Sequence, residues 1–268
     1  MPQDQEIDHW KYTLGRVLIF CLICALVLVI GSPLTRGLGR PLSETILAAG
    51  AIIVVFLFTI LFVRWEALRL SDVGVIPGRL TVSHVLIGFL IGLFLAGFHV
   101  ALMLVYGHIK LTRLPEISFA TLLINLLLYF LLAAREELAF RGYPLRSLAY
   151  SMRGWKAQII VAVIFSLEHV AGGYSWTQAF FGAGVGAILF GIAALKTKGI
   201  ALPIGLHAAW NFGQWCAGFK SDSGLWQVTA EKGFQEKQEQ ASLIAYLIVM
   251  ALAIASFYFY HHRWEHRQ

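Results

Sequence analysis

Charge is what this chain has least of. Asp, Glu, Lys and Arg make up 13% of its 268 residues, about half the share found in a soluble globular protein. Hydrophobic residues reach 58%, mean hydropathy is +0.71, and the apolar residues come in runs rather than in alternation. That pattern excludes a soluble domain and indicates an integral membrane protein. Cysteine is also scarce: Cys21, Cys24 and Cys216 all lie inside apolar segments. Cys21 and Cys24 have the C-x-x-C spacing without a second pair, so a disulfide framework is not supported and they read as small buried apolar residues. No polar or low-complexity stretch is long enough for a second domain, and residues 1–268 are expected to form a single membrane domain. The net charge of +6 is spread among loops. Lacking a clustered basic face outside 135–156, the chain is not expected to bind nucleic acid.

Eight apolar segments are present, roughly Leu14–Ile30, Thr45–Val63, Val82–Val105, Phe119–Ala134, Ala157–Val170, Ala179–Leu195, Ile200–Ala217 and Ala241–Tyr260. Runs of about 20 apolar residues cross a bilayer as helices. The expected fold is therefore an all-α, polytopic bundle of about eight transmembrane helices, with 157–170 and 200–217 buried inside it. Gly31-Ser32-Pro33-Leu34 is a poor cleavage site, so the first segment is expected to be retained. An even number of spans puts both termini on one side. That side carries 14 Lys and Arg against seven on the other, which predicts cytoplasmic N- and C-termini, in the inner membrane if the source is bacterial. Two G-x-x-x-G spacings, Gly88/Gly92 and Gly182/Gly186, predict close helix packing within the bundle.

Ionisable groups in such segments cost several kcal/mol each unless they pair or do chemistry. Three segments carry them. The first has Arg135-Glu136-Glu137-Leu138-Ala139-Phe140-Arg141. On a helix, Glu137 and Arg141 stand one turn apart with the acid N-terminal, the favourable order for a pair. Glu136 then points about 100° away, free to face a neighbour as a general base. The second has Phe165-Ser166-Leu167-Glu168-His169, and the third has His207-Ala208-Ala209-Trp210-Asn211, with His207 and Asn211 on one helix face. Two carboxylates, two imidazoles and an amide supply a base, an orienting group and oxyanion donors. His84, His99 and His108 read as hydrogen-bonded core or interfacial residues.

Glu-Glu-x-x-x-Arg at 136–141, Phe-x-x-x-His at 165–169 and His-x-x-x-Asn at 207–211, in that order, resemble the CPBP family of intramembrane proteases, the CAAX-prenyl-protease and bacteriocin-processing or immunity group. The resemblance covers about residues 115–217. It implies a peptidase acting on a membrane-associated, prenylated or leader-type peptide. Glu136 with His169 would activate a water, His207 and Asn211 would bind the oxyanion, and Glu137 with Arg141 would hold the site in shape. Glu168 has no place in that pattern.

A metal-free site is preferred, with zinc on Glu136, His169 and His207 as the alternative. H-E-x-x-H is absent, and Phe165 stands where H-x-x-E-H requires its first histidine. Two rivals to the peptidase are a proton-coupled transporter using the same Glu and His residues, and a non-catalytic immunity or binding protein. One geometric difficulty remains at this stage. His169 lies about 20 Å along its helix from Lys156, whereas Glu136 is near the end of its own apolar run. A fourth helix prolonged to about Gly142, a tilted fifth helix, or a 143–154 segment sunk into the interface would reconcile them.

Overall fold

A backbone in hydrocarbon must satisfy its own hydrogen bonds, and the apolar runs accordingly fold as helices. The computed structural model describes residues 3–115, 117–220 and 224–265. Glu116, inside the expected protease-like core, and Arg267, one of the cations counted for the terminal side, lie outside them. The helices are α1 (Gln3–Thr35), α2 (Arg40–Trp65), α3 (Thr81–Tyr106), α4 (Phe119–Glu137), α5 (Tyr143–Ser151), α6 (Gly154–Ala171), α7 (Val185–Thr197), α8 (Ala201–Cys216) and α9 (Gln235–Glu265). Among the described residues seven helical stretches are long and apolar enough to cross a membrane, so the chain is a multi-pass membrane protein. The remaining expected segment, 200–217, forms α8 and is only 16 residues long. Most of it is buried, including His207, Asn211 and Gln214, because it threads the middle of the bundle and not its lipid-facing rim.

The fourth helix does not stop at Ala134. Ser118 caps it by accepting a hydrogen bond from the Thr121 N–H at 3.1 Å, and the helical stretch then runs unbroken from Phe119 to Ser151. It widens into one π-helical turn at Leu138–Gly142. Pro144 explains the widening: it has no N–H to donate, and its ring would strike the carbonyl of Phe140 in a regular α-helix. Gly142, two residues before the proline, takes φ −70° and ψ −113°, while Tyr143, directly before it, stays helical at φ −55° and ψ −52°.

This prolonged helix removes the difficulty over His169. Helices α5 and α6 form an antiparallel hairpin around Met152 and Arg153. Glu136 stands 16 residues before Met152, and His169 stands 16 residues after Arg153. The two are level because each arm of the hairpin has the same length. Farther down, the Tyr143 hydroxyl donates to Glu66 at the end of α2 (3.0 Å), Ser147 donates to the same carboxylate, and Arg16 of α1 pairs with it at 3.6 Å. Glu136, seven residues before Tyr143, stands about 10 Å from those contacts along the helix.

One apolar cluster joins α1, α2, α5 and α6 around Phe20, Phe62 and Tyr143, whose rings lie 5.1 to 5.4 Å apart. A second joins α3, α7, α8 and α9 around Leu206, Trp210 and Met250. Helix α3 makes its largest contact with α8. The two run parallel and nearly touch: a Cβ on Gly88 or Gly92 would meet the backbone of Leu202 or Leu206, and one on Gly205 would meet the Val85 carbonyl. The expected role of Gly88 and Gly92 holds, and Gly205 supplies the other side of the seam. For Gly182 the expectation fails, since an added Cβ meets nothing within 4 Å; its carbonyl instead accepts from the Tyr246 hydroxyl at 2.6 Å. The one addition to the all-α expectation is a short antiparallel ribbon, β1 (Ile109–Arg113) with β2 (Trp226–Ala230). It ties together the segments that follow α3 and α8, so both helices end on the same face.

The seam yields a stability test. Gly205→Ala forces α3 and α8 apart and is expected to cost about 1–3 kcal/mol, the usual scale of overpacking. Gly97→Ala, where the new methyl meets nothing within 4 Å, is expected to be neutral or to gain up to about 1 kcal/mol of helix propensity. Thermal unfolding of both variants in detergent checks the contrast.

Candidate functional site

The site forms at the seam of the two apolar clusters, where α4 and its π-turn, α6, α7 and α8 meet. Glu137 and Arg141 are both fully buried and pair at 3.4 Å. The π-turn leaves them facing the bundle axis, and the Arg141 guanidinium is boxed by the rings of Phe140, Phe165 and Phe190 at 5.9, 4.6 and 5.7 Å. It also donates to the Ala187 carbonyl of α7 at 3.3 Å. Gln158 of α6 donates to that same carbonyl at 2.9 Å, using space that any side chain on Gly191 would fill. Gln158 was not singled out from the sequence, although a lone amide in an apolar helix is a visible signal.

His207 connects the structural acid to the other one. Its Nδ1 lies 2.8 Å from Glu137 Oε1, so the Nδ1–H donates to that carboxylate. Its Nε2 faces Glu136 Oε2 at 3.7 Å, and the ring is stacked on Phe190 at 4.4 Å and 16°. A lone pair aimed at a carboxylate would be repelled, so this arrangement favours one proton held between His207 and Glu136. Asn211 follows one turn along α8 and is buried. Its amide makes no hydrogen bond to another described residue, which leaves it for a ligand.

Glu136 is held from the other side by Arg135, whose guanidinium donates to Oε1 at 2.5 Å. Arg135 also reaches Glu168 of α6, at 3.9 Å. That contact gives Glu168 a place in the cluster: it shares the cation that positions Glu136, with Cys21 and Cys24 of α1 in its electrostatic range. His169 does not pair with Glu136 directly, but the two interact electrostatically. Its Nδ1 lies 2.9 Å from the Phe165 carbonyl, an acceptor only, so Nδ1 carries the hydrogen and the neutral ring presents Nε2 as an acceptor. Tyr174, beyond the end of α6, packs its edge on that ring at 5.2 Å; partial burial, with the Glu136 carboxylate nearby, raises its phenol above the ordinary value. The motif spacing has a physical reason here. One turn of helix lets Phe165 fix the His169 tautomer through its carbonyl while its ring covers Arg141.

Formal charges in the cluster nearly cancel. Arg135 and Arg141 oppose Glu136, Glu137 and Glu168, and a single further proton makes the set neutral. Among the described residues no three His, Cys, Asp or Glu side chains come together as a metal-binding group. The apolar histidines outside the cluster have other partners. His99 accepts from Gln214 through Nδ1 and donates through Nε2 to the Ser242 carbonyl, both at 3.2 Å, and His108 contacts Glu231 at 3.1 Å.

Residues 118–213 match a family model described as type II CAAX prenyl endopeptidase Rce1-like. That segment is similar to the Rce1-like endopeptidases. All the side chains of the polar cluster, from Arg135 to Asn211, fall inside the matched segment, so the resemblance seen in the three motifs is borne out. No curated protein matches the chain.

In the matched segment Glu137 uses one oxygen for His207 and the other for Arg141. Glu137→Gln removes the counter-charge of a buried guanidinium and leaves one acceptor oxygen in place of two. Breaking a buried pair of this kind is expected to cost about 3–5 kcal/mol. A fall in detergent-solubilised yield and in thermal midpoint checks this, and Glu136→Gln, in a less buried position, is expected to leave the midpoint within a few degrees of wild type.

Proposed function

We propose that this protein is an intramembrane endopeptidase in which Glu136 activates a water. The observation that carries the reading is the environment of Glu136: a carboxylate in a membrane bundle, oriented by Arg135 and set 3.7 Å from His207 Nε2, with Asn211 one turn along α8 from that histidine. Its position in an Rce1-like segment supports peptide-bond hydrolysis over transport or simple binding.

In this mechanism a water lies between Glu136 and the Nε2 of His169. Glu136 takes a proton from it as the oxygen attacks the scissile carbonyl carbon. The carbonyl oxygen becomes an oxyanion that accepts hydrogen bonds from the Asn211 amide and from the His207 Nε2–H. Glu136 then passes its proton to the leaving amide nitrogen as the C–N bond breaks, so protons and charge balance over the cycle. Glu137 accepts from the His207 Nδ1–H and fixes the ring's orientation, and the further proton shared with Glu136, when it sits on His207, gives the doubly protonated ring whose Nε2–H is the donor. We assign water activation to Glu136 without a metal because the Arg135 guanidinium already neutralises it. The substrate is a peptide or a membrane-protein segment that reaches this depth, with prenylated and leader-type peptides as the candidates.

Glu136→Gln retains shape but loses the proton acceptor, and is expected to lower the cleavage rate by about 10²-fold or more. Peptide turnover by purified protein in detergent, with and without a strong zinc chelator, measures this. Full activity in the variant would remove Glu136 as base. Loss on chelation with recovery on zinc addition would transfer the water to a metal.

We further propose cytoplasmic N- and C-termini, on the 14-to-seven distribution of Lys and Arg. A reporter fused after Gln268, which lies outside the described residues, is expected to be active only if it works in the cytoplasm. Activity restricted to an exported reporter would reverse the orientation.

A further inference from the structure

The mechanism above gives Glu168 no part, yet it is a third carboxylate in a bundle where such groups are costly. It stands on α6 directly before His169 and, about 100° round the helix from it, reaches toward Arg135 of α4. The Arg135 guanidinium is divided between two acids. One end donates to Glu136 Oε1 at 2.5 Å. The other lies 3.9 Å from Glu168 Oε1, longer than a hydrogen bond. Both partners keep an unused atom: among the described residues Arg135 Nε and Glu168 Oε2 are buried and make no hydrogen bond. The other cation acting on Glu168 is Arg141, which is committed to Glu137. Arg135 is thus held closely by one acid and loosely by another, and a closure of about 1 Å would complete the second contact.

The reaction itself supplies a reason to change partners. Glu136 is anionic until it takes a proton from the attacking water, and neutral until it passes that proton to the leaving nitrogen. In that interval Arg135 faces an uncharged acid. Its side chain is 12% exposed and that of Glu168 19%, so neither charge can be left to solvent. A guanidinium without a counter-ion inside the bundle is strongly unfavourable. Glu168 is the carboxylate within reach. With Glu168 absent, the guanidinium would have Glu136 alone, would stay on it and would make it a poorer proton acceptor.

We propose that Glu168 is a positioning residue that acts through Arg135: it takes over the guanidinium when Glu136 becomes neutral. Glu136 can then be oriented by a cation and still serve as a base. This inference rests on the peptidase reading for the event that neutralises Glu136, but the exchange of partners is testable without turnover.

The turnover-free arm uses Glu136→Gln, whose amide stands in for the neutral acid. Thermal unfolding in detergent is compared for wild type, Glu168→Gln, Glu136→Gln and the double variant. With Glu136 charged, Arg135 keeps a counter-ion, and Glu168→Gln is expected to move the midpoint by no more than about 2 °C. In the Glu136→Gln protein the same change is expected to lower it by about 5 °C or more, because the buried guanidinium is stranded. Adding Arg135→Gln to the double variant removes the stranded charge and is expected to recover most of the loss, in yield as well as in midpoint. A shift no larger in the Glu136→Gln background than in wild type overturns the proposal, as does a triple variant that recovers nothing.

The second arm measures turnover of internally quenched peptides. Glu168→Gln is expected to lower kcat about tenfold with KM within about twofold of wild type, since the contact acts on proton transfer and not on binding. Glu168→Asp keeps the charge and is expected to restore most of kcat. In an Arg135→Gln background Glu168→Gln is expected to have no further effect. An undiminished kcat in Glu168→Gln, or an equal loss in both backgrounds, refutes the role of Glu168 and leaves the peptidase standing. Absence of cleavage of every peptide by wild type refutes the peptidase, while the thermal comparison still decides whether Arg135 changes partners.

Discussion

The architecture depends on one buried ion group: Glu137 between Arg141 and His207. A guanidinium and a carboxylate removed from water lose several kcal/mol each of hydration, and their mutual attraction offsets this only if other polar contacts complete the set. Here contacts come from several directions. Arg141 receives aromatic faces from the π-turn, α6 and α7 and donates to the Ala187 carbonyl of α7, and Glu137 receives the His207 N–H from α8. Those partners come from four different helical segments. The ion group can therefore be satisfied only when the helices are in register, which makes it a device for specifying the assembly more than a source of net stability.

The same register sets up the chemistry. His207 touches Glu137 with one nitrogen and faces Glu136, the proposed base, with the other. A change in the position of α8 would disturb folding and reactivity together. The close α3–α8 seam explains how α8 stays in place although it is too short to be anchored by its own ends. Three glycines remove the side chains that would hold the backbones apart, and α8 is clamped along its length by a helix long enough to cross the membrane.

Much of this was legible in the sequence, for definable reasons. Long apolar runs gave the helical membrane fold, and the i, i+4 spacings of Glu137/Arg141, Phe165/His169 and His207/Asn211 placed each pair on one helix face. Partners on different helices were harder to see. Nothing local says that His207 bonds Glu137, that Arg135 is shared by Glu136 and Glu168, or that Gln158 fits beside Gly191. These contacts depend on helix rotation, which hydropathy leaves undetermined because lipid and protein interior are alike in polarity. The extent of the fourth helix was left open because Arg135, Glu136 and Glu137 ended the apolar run, and a charge count cannot tell a helix leaving the membrane from one turning its polar face inward. The π-turn ahead of Pro144 absorbs the proline and lets the helix continue to Ser151.

The hairpin formed by α5 and α6 also constrains how the chain can change in length. Loops between most helices can gain or lose residues with little effect, because each helix finds its depth from its own apolar run. Between Glu136 and His169 this freedom is absent. Removing one residue from a single arm would lower its side chains by about 1.5 Å and rotate them by about 100°, carrying Glu136 or His169 out of the common level. Length is tolerated there only as matched additions, whole turns on both arms, which push the Met152–Arg153 bend outward and leave the upper hairpin unchanged. The segment thus behaves as a spacer of fixed length inside a fold whose other connections are elastic.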